Sequence, residues 1–517
     1  MATETELKLR LPPGEIAALR AHPLLAGKRP RSLDVDNIYF DTPAVELSRH
    51  GMALRLRRIG KRWLQTLKSG ASGEGGLHSR SEWEFAVPGP VLDLALFADT
   101  PLALLEDAAT LHTRLKPAFT TNFRRLAWKL EPETGTEVEL AVDVGVVRSG
   151  TREAAISEVE IEVKSGPAAA AFALAERLQE SVRLFPSPVN KAETGYRLFL
   201  RRPIRPSKAR AADIGKSLPP QEAARRIVAS CLAHLQANEA GVLASADPEF
   251  VHQMRVANRR LRSALRVFRG AVDPDFLARI APDLKWLGAA LGEARDWDVL
   301  VAETLPPLVA AFDDAAVSAG ILKEASRHRR VARAAMRDAL SSMRFARLAL
   351  ALSRWTTLDE EAPLAEGVPA TLVDFASRAV RRRHARLLDA GMHLAELAPE
   401  MRHHLRLDAK RLRYTVEFVA PLFNTGRVND YLGQLESMQE TLGAANDAVN
   451  AQRMIASLAA PEVFRAFARG WFLGRVGDSL ARSGGLFAAL AESRRFWRKK
   501  KRPAPAAPDP APAADGN

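Results

Sequence analysis

The first eleven residues alternate charged and apolar side chains. Glu4, Glu6, Lys8 and Arg10 occupy even positions, and leucines occupy positions 7, 9 and 11. Because successive side chains of a β-strand point to opposite faces, two carboxylates and two cations would share one face. Carboxylate oxygens suit Mg²⁺ or Mn²⁺, whereas Arg and Lys bind phosphate oxygens. The pattern therefore predicts a strand face that can hold a metal ion and a polyanion together.

Alternation of the same kind recurs through residues 1–205, where we count eight antiparallel strands joined mostly by hairpins. An antiparallel sheet with one solvated face is the common interpretation of such a pattern. Here, however, the polar faces are nearly all charged and several carry both signs, as Glu160, Glu162 and Lys164 do. Eight strands can close into a small barrel whose lumen holds one ligand. We therefore predict a closed barrel with a charged lumen and flanking helices.

An ordered set of motifs in this region resembles the CYTH superfamily, the triphosphate tunnel metalloenzymes. The set is Glu4-x-Glu6-x-Lys8, Tyr39-Phe-Asp-Thr42, Leu54-Arg-Leu-Arg57, Leu67-Lys68, Arg80-Ser-Glu-Trp-Glu84, Glu158-Val-Glu-Ile-Glu162 and Lys191-Ala-Glu-Thr-Gly-Tyr196. Together these motifs cover nearly all of the first two hundred residues. The resemblance implies a tunnel that hydrolyses or rearranges triphosphate compounds with Mg²⁺ or Mn²⁺.

The resemblance also implies roles for individual residues. The expected metal ligands are Glu4, Glu6, Glu160, Glu162 and Asp143. The expected phosphate-binding residues are Lys8, Arg55, Arg57, Lys68, Arg80, Arg124 and Lys191. The expected catalytic residues are Glu4, Glu6, Lys8, Lys68 and Glu82. Because the charged strands show no obvious aromatic cage for a base or a thiazolium, we favour inorganic triphosphate, with phosphate and pyrophosphate as products, over ATP or thiamine triphosphate.

The composition of the chain changes after residue 203. Residues 204–220 contain prolines among basic and small residues, which is typical of a linker. From residue 221 to residue 498 the apolar periodicity is helical, which predicts a helical bundle. Residues 499–517 are basic and then rich in Pro and Ala, and we predict a disordered tail. The prediction is thus an α+β protein with two domains: the tunnel over residues 1–203 and an all-α bundle.

The net charge of +14 is concentrated in the helical part. Residues 1–205 carry 29 Lys+Arg against 26 Asp+Glu, whereas residues 206–517 carry 46 against 35. The charge balance therefore favours the helical part as the partner of a polyanion, but charge alone does not distinguish nucleic acid, an anionic membrane and inorganic polyphosphate.

An internal repeat with an offset of 151 residues lies in the helical part. His252-Gln-Met-Arg255 corresponds to His403-His-Leu-Arg406, and Leu291-Gly292 corresponds to Leu442-Gly443. The repeat places cations along one face of two helices. The two stripes are His252, Arg255, Arg259, Arg262 and Arg266 in the first copy and His403, Arg406, Lys410 and Arg413 in the second. Two such helices related by a pseudo-twofold axis would line one basic groove.

These blocks resemble the CHAD domain, a helical domain often found behind a CYTH domain. The resemblance implies binding of inorganic polyphosphate and association with polyphosphate granules. Two other interpretations stay open for the stripes: a solvated basic face, and metal binding by the histidines. Nucleic-acid binding is disfavoured because the stripes show few aromatic or amide side chains for stacking or base contacts.

A single cysteine, Cys231, excludes a disulfide within the chain and fits a reducing compartment. The N-terminus shows no apolar signal segment, and no run of 18 apolar residues occurs. We therefore expect a cytoplasmic protein without a membrane span, its oligomeric state open. The expected function is inorganic triphosphatase activity. A non-catalytic, granule-associated polyphosphate-binding protein is the alternative.

Overall fold

The computed structural model describes residues 2–70, 75–358, 363–391, 399–493 and 495–497 of the chain. Within these ranges, the side chains of residues 2, 3, 399, 400, 402, 403, 444–446 and 475–484 are left undescribed. The predicted disordered tail lies outside the described residues. The predicted site residue His403 is described as part of a helix, but its side chain is not.

Eight described strands of the N-terminal domain form a closed antiparallel barrel. They are β1 (Ala2–Arg10), β2 (Arg31–Asp41), β3 (Met52–Ile59), β4 (Arg62–Ser69), β5 (Leu77–Val87), β6 (Lys116–Glu133), β7 (Thr136–Ser149) and β8 (Arg152–Ser165). The order around the barrel is β1-β5-β4-β3-β2-β6-β7-β8, and β1 pairs with both β5 and β8 to close it. The predicted eight-stranded antiparallel barrel is confirmed.

The barrel has an apolar outside and a charged inside. Leu7 and Leu9 of β1 are fully buried on the outer face, where they pack with Val159 of β8 against a flanking helix that contains Phe172. Burying each such side chain stabilises the fold by roughly 1.5–3 kcal/mol. The alternating charged residues of the same strands are thereby held toward the lumen.

Short elements flank the barrel. They are α1 (Ile16–Arg20), α2 (Glu46–Arg49), α3 (Ala108–Arg114), α4 (Ala169–Leu178), the two-residue strand β9 (Phe185–Pro186), and α5 (Lys191–Phe199). Helix α4 contains Phe172 and covers the outer face of β1, β7 and β8. Helix α5 begins with a capping box in which the Asn190 side chain accepts from the Glu193 backbone amide. This cap fixes Lys191, the first residue of α5, at the barrel.

The second domain consists of helices, as predicted. They are α6 (Pro220–Ala244), α7 (Pro248–Val267), α8 (Pro274–Val299), α9 (Leu305–Ala310), α10 (Ala315–Leu340), α11 (Met343–Thr357), α12 (Leu372–Gly391), α13 (Pro399–Val419), α14 (Thr425–Ala456) and α15 (Glu462–Glu492). The two cationic stripes lie on α7 and α13. These helices contact each other, with an ion pair between Arg260 and Glu417. None of the described helices combines the length and apolar character that a bilayer crossing requires.

The two domains share a packed interface. Phe185 of β9 is buried in the core of the helical domain, and Leu350 of α11 is buried in the core outside the barrel. The Arg347 side chain donates to the backbone carbonyl of Gln179 at 3.0 Å. The segment predicted as a linker also packs, since Ile214 is buried in the helical core. These contacts join the barrel and the bundle without an exposed hinge at these points.

Candidate functional site

The barrel lumen is a cavity of about 320 Å³ lined by charged side chains of both signs. The predicted site residues that line it are Glu4, Glu6, Lys8, Arg55, Arg57, Lys68, Arg80, Glu82, Glu160, Glu162 and Lys191. The strand pairing explains the convergence, because Glu4 lies opposite Arg80 and Glu6 lies opposite Glu162 in adjacent strands. The lumen therefore presents carboxylates and cations to the same small volume.

One group of carboxylates inside the barrel is neutralised by the protein itself, and of its members Glu160 lines the lumen cavity whereas Asp143 and Glu158 are not among the lining residues described. Oxygen atoms of Asp143, Glu158 and Glu160 lie within 4.8 Å of one another, a spacing that would suit a metal ion. The Lys191 ammonium already forms ion pairs with all three, at 2.6 Å from Asp143 and 2.9 Å from Glu160. Burial opposes ionisation of Glu160, but Lys191 and other cations hold the pKa of its carboxyl well below its usual range. Lysine thus occupies the position that a metal would need.

A second group of carboxylates lies along β1 and β8. Burial raises the pKa of Glu162, and Glu4 and Glu6 raise it further, against an ion pair with Lys164. A divalent cation relieves this repulsion, and carboxylate oxygens are the donors that Mg²⁺ and Mn²⁺ prefer. Glu4 pairs with Lys68 and Glu6 pairs with Lys8, so each has one lysine partner. Asp143 pairs with both Lys191 and Arg125, and Glu160 pairs with these two and with Lys8. Glu4, Glu6 and Glu162 are therefore less fully neutralised than the predicted ligands Asp143 and Glu160.

The lumen cations are arranged to receive an anion. Burial lowers the pKa of Arg57 to about 10, and its cationic neighbours Arg55 and Arg125 contribute to the shift. Among the described residues, Arg57 pairs with Glu84 at a distance of 4.0 Å. The buried Nε atoms of Arg55 and Arg80 have no hydrogen-bond partner in the described part of the chain. An anion that supplies hydrogen-bond acceptors to these donors is therefore bound favourably.

The assignment of Arg124 to the tunnel is wrong. Its side chain is 66% exposed and pairs with Asp34 outside the barrel. The next residue, Arg125, lines the lumen and donates to Asp143 at 2.7 Å. The parity of β6 explains the error: Arg124 shares the outer face with Trp128, which packs in the core outside the barrel. The buried Trp128 is the signal that would have assigned the lumen position to Arg125.

A second cavity, of about 760 Å³, lies between the two stripe helices of the helical domain. The predicted residues that line it are His252, Arg255, Arg259, Arg262, Arg406 and Lys410. Arg255 pairs with Asp296 at 2.6 Å and Arg406 pairs with Asp447 at 3.1 Å, so the repeat is preserved in its contacts. Arg295 and Arg453 also line the cavity; they lie outside the stripes and were not predicted.

Positive charge is crowded in this cavity. Burial lowers the pKa of Lys410 to about 7, and Arg406 and Arg259 lower it further. Burial and the nearby Arg295 also lower the pKa of His252. The buried Nε atoms of Arg259 and Arg406 have no hydrogen-bond partner among the described residues. The cavity can therefore accept several anionic oxygens.

Among the predicted stripe residues whose side chains are described, Arg266 and Arg413 do not line this cavity. Arg266 lies fourteen residues beyond His252, which is about 21 Å along the axis of α7 and beyond the end of the cavity. Arg413 lies near two carboxylates, 3.4 Å from Glu417 and 3.7 Å from Glu436. Residue spacing gave the correct helix face for both but not the length of the cavity or the competing carboxylates.

The fold and the two cavities define a charged β-tunnel protein with a basic helical domain. Comparison with protein families agrees: the CYTH domain matches residues 2–196 and the CHAD domain matches residues 226–456. The chain thus contains a CYTH domain followed by a CHAD domain, and both resemblances seen in the sequence are confirmed.

Similar proteins match parts of the chain. The inorganic triphosphatase of Haemophilus influenzae is 32% identical over 169 residues, which is 32% of this chain and 47% of that protein. The chain thus aligns with about half the length of that relative. An uncharacterized protein of Mycobacterium tuberculosis is 27% identical over 391 residues, covering 74% of this chain and 75% of that protein. The crystal structure of the CHAD domain from the plant Ricinus communis is 32% identical, with a TM-score of 0.48, and covers 56% of this chain and 98% of that one.

Proposed function

We propose that the tunnel hydrolyses inorganic triphosphate to phosphate and pyrophosphate in a metal-dependent reaction. The observation that carries the proposal is the lining of one cavity of about 320 Å³ by interleaved carboxylates and cations. The similarity of part of the CYTH domain to an inorganic triphosphatase supports the choice of reaction. The basic cavity of the CHAD domain supports an inorganic substrate, because it offers a second surface for bare phosphate chains.

The cations of the tunnel hold the substrate. Arg55, Arg57 and Arg80 would bind phosphate oxygens with their planar guanidinium groups, and Lys8 and Lys68 would act as point charges. These charges neutralise the triphosphate, which would otherwise repel an attacking water. They also stabilise charge that shifts to the leaving pyrophosphate in the transition state.

The carboxylates Glu4, Glu6 and Glu162 would hold Mg²⁺ or Mn²⁺, with Glu160 and Asp143 behind them keeping Lys8, Arg125 and Lys191 oriented. The metal, when bound, supplies Lewis-acid polarisation of a phosphoryl oxygen. Glu82 lies 3.5 Å from Arg55 and 3.6 Å from Lys68, so it would orient these two phosphate-binding cations.

The cysteine of the chain is unsuited to serve as a nucleophile. Cys231 is buried in the helical domain, and burial raises the pKa of its thiol to about 11. The thiol therefore stays protonated near neutral pH. Water is the nucleophile that the proposed reaction requires.

A phosphate-release assay with tripolyphosphate, ATP, thiamine triphosphate and long-chain polyphosphate tests the proposal. We expect tripolyphosphate to be hydrolysed fastest, and the double variant Glu4→Gln/Glu6→Gln to lose activity even at saturating Mg²⁺. The matched control, Glu133→Gln/Glu137→Gln, removes two exposed carboxylates at the β6–β7 end and should retain activity. Full activity of the Glu4/Glu6 variant, or faster release from ATP, would contradict the proposal.

The helical cavity is the site at which we propose that polyphosphate binds, and through which the protein would associate with polyphosphate granules. Its crowded cations support an anionic ligand, and so do the Nε atoms of Arg259 and Arg406, which have no partner within the described part of the chain. Arg255→Gln/Arg259→Gln in the full chain should weaken the binding of long-chain polyphosphate. Equal affinity for duplex DNA and polyphosphate at the same salt concentration would contradict this assignment.

A further inference from the structure

A third cavity, of about 340 Å³, lies where α7, α12 and α13 meet. The described residues that line it are Arg266, Arg382, Arg383, Arg386, Arg411 and Asp408. None of these residues lines the larger basic cavity as described. Arg266, which the sequence places in the long stripe of α7, therefore belongs to a different site from Arg255 and Arg259.

The charges of this third cavity are unbalanced. Its one described carboxylate, Asp408, already accepts from Arg386 at 3.0 Å and from Arg411 at 2.7 Å. Arg383 is half-buried, and its side chain donates a long hydrogen bond to the Ala379 carbonyl at 3.4 Å. Burial lowers the pKa of Arg383 to about 10, and Arg382 and Arg266 add to the shift. Holding these like charges together costs stability unless an anion compensates them.

The third cavity lies next to the larger basic cavity along α7. Arg262 lines the larger cavity and Arg266 lines the third, and the two are four residues apart on α7. Four residues of α-helix rise about 6 Å. Burial lowers the pKa of Arg266, and the charges of Arg411 in the third cavity and Arg262 in the larger cavity lower it further. The cations of the two cavities are thus close enough to repel each other. A linear polyanion that leaves the larger cavity at Arg262 therefore has about 6 Å of α7 to cross before it reaches Arg266.

The chemistry of the lining favours phosphate chains over nucleic acid. Guanidinium groups match phosphate oxygens with two parallel hydrogen bonds. The described lining consists of arginines and Asp408, and it offers no aromatic ring for stacking and no amide for contacts with bases. We propose that this cavity is a second polyphosphate-binding site, and that a long chain held in the larger cavity continues past Arg262 into it. The inference rests on the proposed polyphosphate binding and extends it to a dependence on chain length.

The test measures the affinity of the full chain for polyphosphates of increasing length. Arg382→Gln/Arg383→Gln should weaken the binding of long chains by about tenfold or more, the loss expected for one or two charge-assisted hydrogen bonds. Short oligophosphates that fill only the larger cavity should bind the variant as they bind the wild type. The rise of affinity with chain length should therefore be flatter in the variant.

Two comparison variants make the outcome specific. Arg327→Gln/Arg330→Gln removes two exposed arginines of α10 that line neither basic cavity, and it should bind like the wild type. Arg255→Gln/Arg259→Gln should weaken the binding of polyphosphate chains of every length. Thermal unfolding of each variant checks that the fold is retained, and Arg382 is exposed, so its loss should not affect folding.

Each result supports or overturns a different statement. If the wild type does not bind long-chain polyphosphate, the proposed polyphosphate function fails. The wild type could instead bind long-chain polyphosphate, with binding weakened by Arg255→Gln/Arg259→Gln but unchanged by Arg382→Gln/Arg383→Gln. In that case only the proposed second site is overturned. An equal loss of affinity for single-stranded polynucleotide or for anionic lipid vesicles would also overturn it, because the site would then be an unspecific basic patch.

Discussion

The guanidinium of Arg10, at the end of tunnel strand β1, lies 2.5 Å from the carboxylate of Glu239 on helix α6. The Arg10 Cζ atom also lies 4.2 Å from the centre of the Phe185 ring. Burial raises the pKa of Glu239, and the ion pair with Arg10 opposes that shift. The alternation that begins at Glu4 therefore ends at the helical domain, so one strand links the tunnel wall to the bundle.

Loss of this ion pair should destabilise the whole chain. Glu239→Gln keeps the shape of the side chain but removes its charge, and we expect a loss of about 1–3 kcal/mol in the free energy of unfolding, because Arg10 loses a charge-assisted partner. Denaturant unfolding of the full chain measures it. The control is Arg58→Gln, which breaks an ion pair with Asp36 on the barrel surface and should cost less than about 1 kcal/mol. An equal cost for both variants would show that the interdomain pair has no special weight.

Metal activation should distinguish the two groups of lumen carboxylates. Glu162→Gln should raise the Mg²⁺ or Mn²⁺ concentration needed for half-maximal activity by tenfold or more, since even residues that support ligands change affinity by about 10–100-fold. Glu158→Gln should change it less, because Lys191 already neutralises that group. Metal titrations of phosphate release measure both. A larger increase in this metal concentration for Glu158→Gln than for Glu162→Gln would instead place the metal site at the carboxylates around Lys191.

The adjacent arginines of β6 give a matched pair on opposite faces of one strand. Arg125→Gln should reduce kcat/KM for tripolyphosphate by about tenfold or more, because it removes a lumen cation that also orients Asp143 and Glu160. Arg124→Gln should leave kcat/KM unchanged, because its side chain lies outside the barrel. Steady-state kinetics on both variants measure the difference, and equal losses would contradict the placement.

Residue patterns predicted the barrel because period-two alternation marks both its faces, and β1 is the clearest case: its leucines are buried outside while Glu4 and Glu6 line the lumen. The pattern failed at Arg124 because Arg124 and Arg125 are adjacent in β6 and point to opposite faces of the strand. The charge pattern alone therefore did not show which arginine faces the lumen. It also could not show that Lys191, distant in sequence, would pair with Glu160 and its neighbours. Such pairings depend on the packing of α5 against the barrel.

The same limit applies to the helical domain. The repeat predicted that the stripes of α7 and α13 face each other, and α7 and α13 do contact. It could not predict the third cavity, because Arg382 and Arg383 lie on α12, which belongs to neither stripe. Sequence spacing fixes the face of a helix, whereas the neighbour that covers this face is decided by tertiary packing.

Polyphosphate binding should depend on pH through Lys410. Burial and the neighbouring Arg406 and Arg259 lower its pKa to about 7, so the free protein carries a partly deprotonated amine at neutral pH. A bound polyanion favours the charged form, so binding takes up a proton and weakens as the pH rises through about 7, by at most about tenfold per pH unit for one group. Arginine stays charged throughout the neutral pH range, so Lys410→Arg should remove most of the pH dependence of binding. Affinities measured between about pH 6 and pH 8.5 test this prediction; an equal slope in both proteins would assign the proton to another group, such as His252.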